Sequence, residues 1–229
     1  MTNSSWFITS REFSSSAELA EATAGEILSL VAETGDRPTA VMLSGGNTPL
    51  AAYQKVAEAK ARAPHTLHVF FSDERMVPSD SPDSNYRNAL PTIDSLGIPA
   101  ANVHVVQAEL PLTGAADAYD RELERFLGND GNILLGLLGL GADGHTASLF
   151  SPGDLKRGQK RLAIPVPREK GPARVSVTPK LLSRVERLLF LAVGPEKCEI
   201  VRTLIEDPLS IPAGLAVANH PNVRIWFAR

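Results

Sequence analysis

A chain of 229 residues that is 43% hydrophobic and 21% charged, with 17 Gly and 17 Pro following no period, is neither a disordered tail nor a fibrous repeat. With 23 Lys+Arg against 26 Asp+Glu the net charge is −3, so no global field favours nucleic acid or an anionic membrane, and an anionic ligand needs a local cluster of cations. The lone Cys198 excludes an intrachain disulfide and a cysteine-based zinc site and fits a reducing cytoplasm.

Residues 1–13 lack the basic and apolar regions of a signal peptide. The longest nearly apolar run, residues 133–142, is about half of what a bilayer span needs. Short β-rich runs then alternate with helical patterns, as in βαβ units with a mostly parallel sheet. Residues 6–9 read as a first strand. The next helix has Ser15 and Glu18 as a capping box, helical spacing through Leu19, Thr23, Ile27, Leu30 and Val31, and Gly35 as its stop. A strand at 39–43 leads into a tight loop and a helix from Pro49, at its first position, to about Ala63. The strand at 67–72 runs into a Pro- and Ser-rich loop that begins at Asp73, and a short helix covers 85–93. A strand at 103–106, an amphipathic helix at 113–127 and a doubly buried central strand at 133–140 come next. Strands at 162–166, 174–178 and 188–193, a helix at 195–205 and a strand at 223–228 complete the chain. No composition shift marks a linker, so residues 1–229 are expected to form one α/β domain.

Ligands of open α/β sheets collect outside the carboxyl ends of the strands, which singles out residues 44–49, 72–86, 139–150 and 194–197. Ser44, Gly45, Gly46, Asn47 and Thr48 before Pro49 offer backbone N–H groups, hydroxyls and a helix N-terminus to a phosphate, although the same residues suit an ordinary helix cap. Gly139 to Gly144 spell G-x-G-x-x-G, but no acidic residue ends a following strand as a dinucleotide site requires. More informative is His145, two residues after Asp143 on a glycine-rich turn. An imidazole can take a proton from water while a carboxylate orients it.

His65 and His68 resemble a metal pair without a third ligand nearby, and His104 and His220 are expected to be structural. There is no G-x-S-x-G elbow, and Cys198 is expected mid-helix. Hydrolysis by activated water is therefore the simplest chemistry. Arg75, Lys170, Arg174 and Lys197 stand beside strand ends, where a substrate anion would need them, though a solvated charge explains each taken singly.

Taken together, residues 43–49, Ser72-Asp73-Glu74-Arg75 with Ser84-Asn85-Tyr86, and residues 139–150 closely resemble the three ordered motifs of the 6-phosphogluconolactonases, and the likeness extends to Lys170, Arg174 and the 194–197 turn. The resemblance implies a single-domain modified Rossmann-like α/β fold with a mostly parallel central sheet flanked by helices. It also implies hydrolysis of 6-phospho-D-glucono-1,5-lactone in the oxidative pentose phosphate pathway, with no metal or organic cofactor and a functional link to glucose-6-phosphate dehydrogenase. His145 would then activate water, Asp143 would orient it and Arg75 would hold the substrate near the reacting ester. Ser44, Gly45, Gly46, Asn47, Thr48, Lys170, Arg174 and Lys197 would receive the phosphate. A glucosamine-6-phosphate deaminase is the nearest alternative, but it places a glutamate five residues after the histidine, where this chain has Phe150. A non-catalytic sugar-phosphate-binding protein would be expected to lack His145 or Arg75.

Overall fold

Side chains on a strand alternate between two faces, and here both faces are apolar. The computed structural model describes residues 8–218 and 220–229. Its elements are β1 (Ile8–Phe13), α1 (Ser16–Glu33), β2 (Thr39–Leu43), α2 (Asn47–Glu58), β3 (Leu67–Phe71), β4 (Asp73–Arg75), α3 (Asn85–Leu96), α4 (Leu112–Gly128) and β5 (Asn132–Gly139). They continue with α5 (Pro152–Arg157), β6 (Ala163–Val166), β7 (Arg174–Val177), α6 (Pro179–Leu182), β8 (Val185–Val193), α7 (Cys198–Glu206), α8 (Pro212–Ala216) and β9 (Val223–Ala228). Six strands form a sheet in the order β1-β9-β8-β5-β2-β3, and every neighbouring pair is parallel.

Val41, Leu43, Val69, Phe71, Leu135 and Leu137 share one core with apolar residues of α1, α2 and α3. Ala40, Met42, Phe70 and Leu138 face the opposite core, which includes Tyr119, Leu123 and Phe126 of α4 and Val201 and Leu204 of α7. Covering both faces is what lets a parallel sheet of near-continuous apolar strands exist in water. No helix of the described residues is long and apolar enough to cross a membrane.

A second sheet, order β4-β7-β6, is antiparallel and packs Ile164, Val166, Val175 and Val177 into the α4 side of the core. Residues 73–75 are thus a strand rather than the start of a loop. Their partner β7 lies about a hundred positions later and puts Arg174 directly opposite Arg75.

Other expectations shift in detail. Residues 6 and 7 of the expected first strand lie outside the described residues, and β1 runs on to Phe13. α1 ends on Thr34, whose N–H and hydroxyl both donate to the Leu30 carbonyl, so Gly35 is not its cap. Helix α2 starts at Asn47 with Pro49 as its third residue, and it stops at Glu58, two residues before Lys60 takes a left-handed φ of 53°. Residues 103–106 form no strand: Val103 makes one bridge to Val69, and Val105 is already exposed. Residues 195–197 are a 3-10 turn, and Cys198 opens α7 rather than lying within it.

Candidate active site

The turn after β5 carries the dyad. His145 Nδ1 and Asp143 Oδ1 are 2.5 Å apart, with the imidazole 29% and the carboxylate 64% exposed. A carboxylate on Nδ1 places the ring proton there and leaves Nε2 with its lone pair. Partial burial works to raise the Asp143 carboxyl, but the hydrogen bond and charge of His145 outweigh it and hold the group below the usual carboxylate range. So close an approach needs Gly141, where a Cβ would fall 2.1 Å from His145 Nδ1 and 2.5 Å from Asp143 Oδ1. The turn is pinned by the Gly141 N–H to the His145 carbonyl at 2.9 Å and by the Thr146 hydroxyl to the Gly139 carbonyl at 2.9 Å.

Facing this turn is a wall built on β4 and β7. Asp73, almost fully buried, accepts from the Ser148 hydroxyl at 2.5 Å and from the Asn85 side-chain amide at 3.2 Å, and lies 3.7 Å from an Arg174 guanidinium nitrogen. Asn85 in turn accepts from Arg75 at 2.8 Å. Glu74, 4% exposed, points elsewhere: it accepts the backbone N–H groups of Arg75, Asn85 and Tyr86 and so closes the N-terminus of α3. Burial pushes the Glu74 carboxyl up, although those N–H groups pull the other way.

Burial likewise lowers the pKa of the Arg174 guanidinium; Asp73 opposes this, and the cations of Arg75 and Arg168 add to it. Two guanidinium groups on opposed strand positions repel each other, and among the described residues Asp73 is the one carboxylate in an ion pair with Arg174. Ser44, Gly45, Gly46, Ser72, Asp73, Arg75, Gly139, Gly141, His145 and Arg174 line a cavity of about 200 Å³. Ser44 Oγ, Arg75 Nε and Arg174 Nε are buried and have no hydrogen-bond partner among the described residues. Buried polar atoms rarely stay unpaired in a folded protein, and three of them around one cavity with excess positive charge could receive an anion.

Residues 14–226 match the family described as glucosamine-6-phosphate isomerases/6-phosphogluconolactonase. The chain belongs to this family. A 6-phosphogluconolactonase of Thermotoga maritima is 38% identical over 191 residues, 82% of each chain. A human 6-phosphogluconolactonase is 32% identical over 230 residues, covering 94% of this chain and 88% of the relative. Among solved structures, the 6-phosphogluconolactonase from Trypanosoma cruzi superposes with a TM-score of 0.84 at 26% identity, covering 98% of this chain and 95% of that one.

Within this member of the isomerase/lactonase family, the motif residues do not all reach the cavity. Ser44, Gly45, Gly46, Arg75, Arg174 and His145 do. Asn47 and Thr48 open α2 behind Gly46. Lys197 donates to the Leu140 carbonyl at 2.7 Å and so braces the end of β5. Lys170 sits on the exposed turn between β6 and β7 and lines a separate cavity of about 430 Å³. Asp73, Glu74, Asn85 and Ser148, which belong to the sequence motifs without an assigned role of their own, hold the wall together. Acidic and amide residues in a polar stretch read as solvated, and only their burial shows otherwise.

His68, which with His65 resembles a metal pair in the sequence, turns to His104 instead. His68 Nδ1 contacts His104 Nε2 at 2.8 Å, and His104 Nδ1 contacts Glu122 at 2.8 Å, beneath the rings of Phe70 and Phe126. His220 is structural, with Nε2 on the Val185 carbonyl at 2.7 Å.

Proposed function

We propose that the chain hydrolyses 6-phospho-D-glucono-1,5-lactone to 6-phospho-D-gluconate, as one domain in the cytoplasm, with His145 activating the water. The observation that carries this reading is the set of unpaired buried donors, Ser44 Oγ, Arg75 Nε and Arg174 Nε, around the cavity that His145 also lines. The names of the relatives across nearly the whole chain support the choice of substrate.

In the proposed cycle the His145 Nε2 lone pair takes a proton from water as the water oxygen bonds to the lactone carbonyl carbon. Asp143, on Nδ1, stabilises the imidazolium that forms. The carbonyl oxygen becomes an oxyanion, and a guanidinium beside it lowers the barrier; Arg75, held by Asn85 and by the Asp83 carbonyl at 2.8 Å, is assigned that place. Collapse breaks the ring C–O bond, and the leaving oxygen takes the proton from His145, which restores the resting dyad. Arg174 with the Ser44 to Gly46 loop receives the phosphate, while Asn47, Thr48 and Lys197 support that loop and the β5 turn from behind.

No step of this cycle calls on a metal or organic cofactor. The substrate is a phosphorylated lactone of the kind formed when a sugar phosphate is oxidised at its anomeric carbon, which is the link to glucose-6-phosphate dehydrogenase. The direct test is acid release in a pH-stat from freshly made 6-phosphogluconolactone, with spontaneous hydrolysis subtracted. Acceleration by the purified protein is expected. Binding of 6-phosphogluconate without acceleration would make this a sugar-phosphate-binding protein instead.

A further inference from the structure

A hydrogen bond from Nδ1 fixes one atom of an imidazole but leaves the ring plane free, because χ2 of histidine lies in a broad, shallow well. Asp143 is itself largely in water, so it is a weak guide for the plane. A second contact is present. The Phe150 ring lies against His145 with centroids 4.4 Å apart and planes inclined by 40°. Phe150 is in turn held from two directions. Its N–H donates at 3.1 Å to Asp154 Oδ2, the same oxygen that accepts from Ser151 in the cap of α5. Over its ring, 3.8 Å from the centroid, sits the guanidinium carbon of Arg168, which comes from the turn between β6 and β7.

We propose that Phe150 and Arg168 are positioning residues: Arg168 clamps the Phe150 ring, and that ring fixes the plane of His145 so that Nε2 keeps its line to the attacking water. The inference rests on the hydrolytic role proposed for His145. It also gives the β6–β7 turn, which leads directly into Arg174, a mechanical connection to the base on the other side of the cavity.

The test separates positioning from binding. Phe150→Leu keeps an apolar side chain but loses the ring, and is expected to lower kcat about tenfold with KM within about twofold of wild type. Phe150→Tyr should recover most of kcat, because it keeps the ring. Arg168→Met, at an exposed position, keeps the stem without the charge and should lower kcat roughly two- to fivefold, with Arg168→Lys in between. Side-chain order of His145, measured by relaxation of 13C-labelled histidine, should fall in Phe150→Leu and Arg168→Met and hold in Phe150→Tyr. That measurement needs no turnover, so it still decides the stack if wild-type protein fails to hydrolyse the lactone and the functional reading falls. Unchanged kcat and unchanged ring order in Phe150→Leu and Arg168→Met would overturn the proposal. A raised KM at constant kcat in Arg168→Met would also overturn it, by making that arginine a substrate contact.

Discussion

His145 and Arg174 stand on opposite sides of one small cavity and should fail in different ways. His145 lies on a turn and contributes little to either core, so His145→Ala should fold with an unchanged melting temperature while kcat drops on the order of 10²- to 10⁴-fold. Near wild-type turnover in that variant would remove the base from the mechanism. Arg174 is set against Asp73 with its Nε unpaired, and a charge-assisted contact to phosphate contributes roughly 1.5–3 kcal/mol. Arg174→Ala should therefore raise KM for the phosphorylated lactone by about one to two orders of magnitude. Slow turnover of unphosphorylated gluconolactone should hardly change. Equal losses on both substrates would place Arg174 in the fold or the chemistry. Lysine at this position should not restore KM, since it lacks the planar fork that grips two oxygens.

At the scale of elements, the β5 turn works only because its first residue after Leu140 has no side chain. Gly141→Ala would set a Cβ 2.1 Å from His145 Nδ1, so the dyad must move, and a displacement near 1 Å costs on the order of 10²-fold in rate. Steady-state kinetics should show that loss in kcat, and a thermal melt should show little change. The glycine spacing and the dyad were legible in the sequence because they sit in one short segment behind a strongly apolar strand. β2 and β9 were legible to the residue, since contiguous buried runs leave little choice of boundary. β4 was not: three charged residues carry no strand signal, and what makes them a strand is a partner that only the fold brings near. The same holds for Arg168 and Lys170. An exposed cation two positions away from another gives no sign of which one will lie over an aromatic ring and which will face solvent.

At the scale of the whole molecule, the half-buried histidine pair ties stability to pH. Burial lowers the pKa of both His68 and His104; their mutual repulsion adds to it at His68, and Glu122, itself paired with Arg125, opposes it. In the unfolded chain each takes its proton near pH 6.5, while in the folded protein protonation waits for a lower pH. The unfolded state thus binds more protons as pH falls below about 6.5, and stability decreases until the folded values are passed. Urea midpoints should therefore drop between about pH 7.5 and 5.5, and the double variant His68→Gln, His104→Gln should show a flatter profile over that range. A wild-type slope in the double variant would assign the loss to other groups. The strand order carries a different consequence, one of timing. Among the described residues β1 pairs with β9 alone, and the Thr9 hydroxyl reaches the Val223 carbonyl across 214 positions of chain. On a ribosome β1 must wait, unpartnered, until β9 has emerged, and once β8 is made its edge toward β9 also stays open until then. Loop closure of that length is slow, and an open parallel edge is prone to wrong partners, so the final strand is what releases the nascent chain from its most aggregation-prone stage.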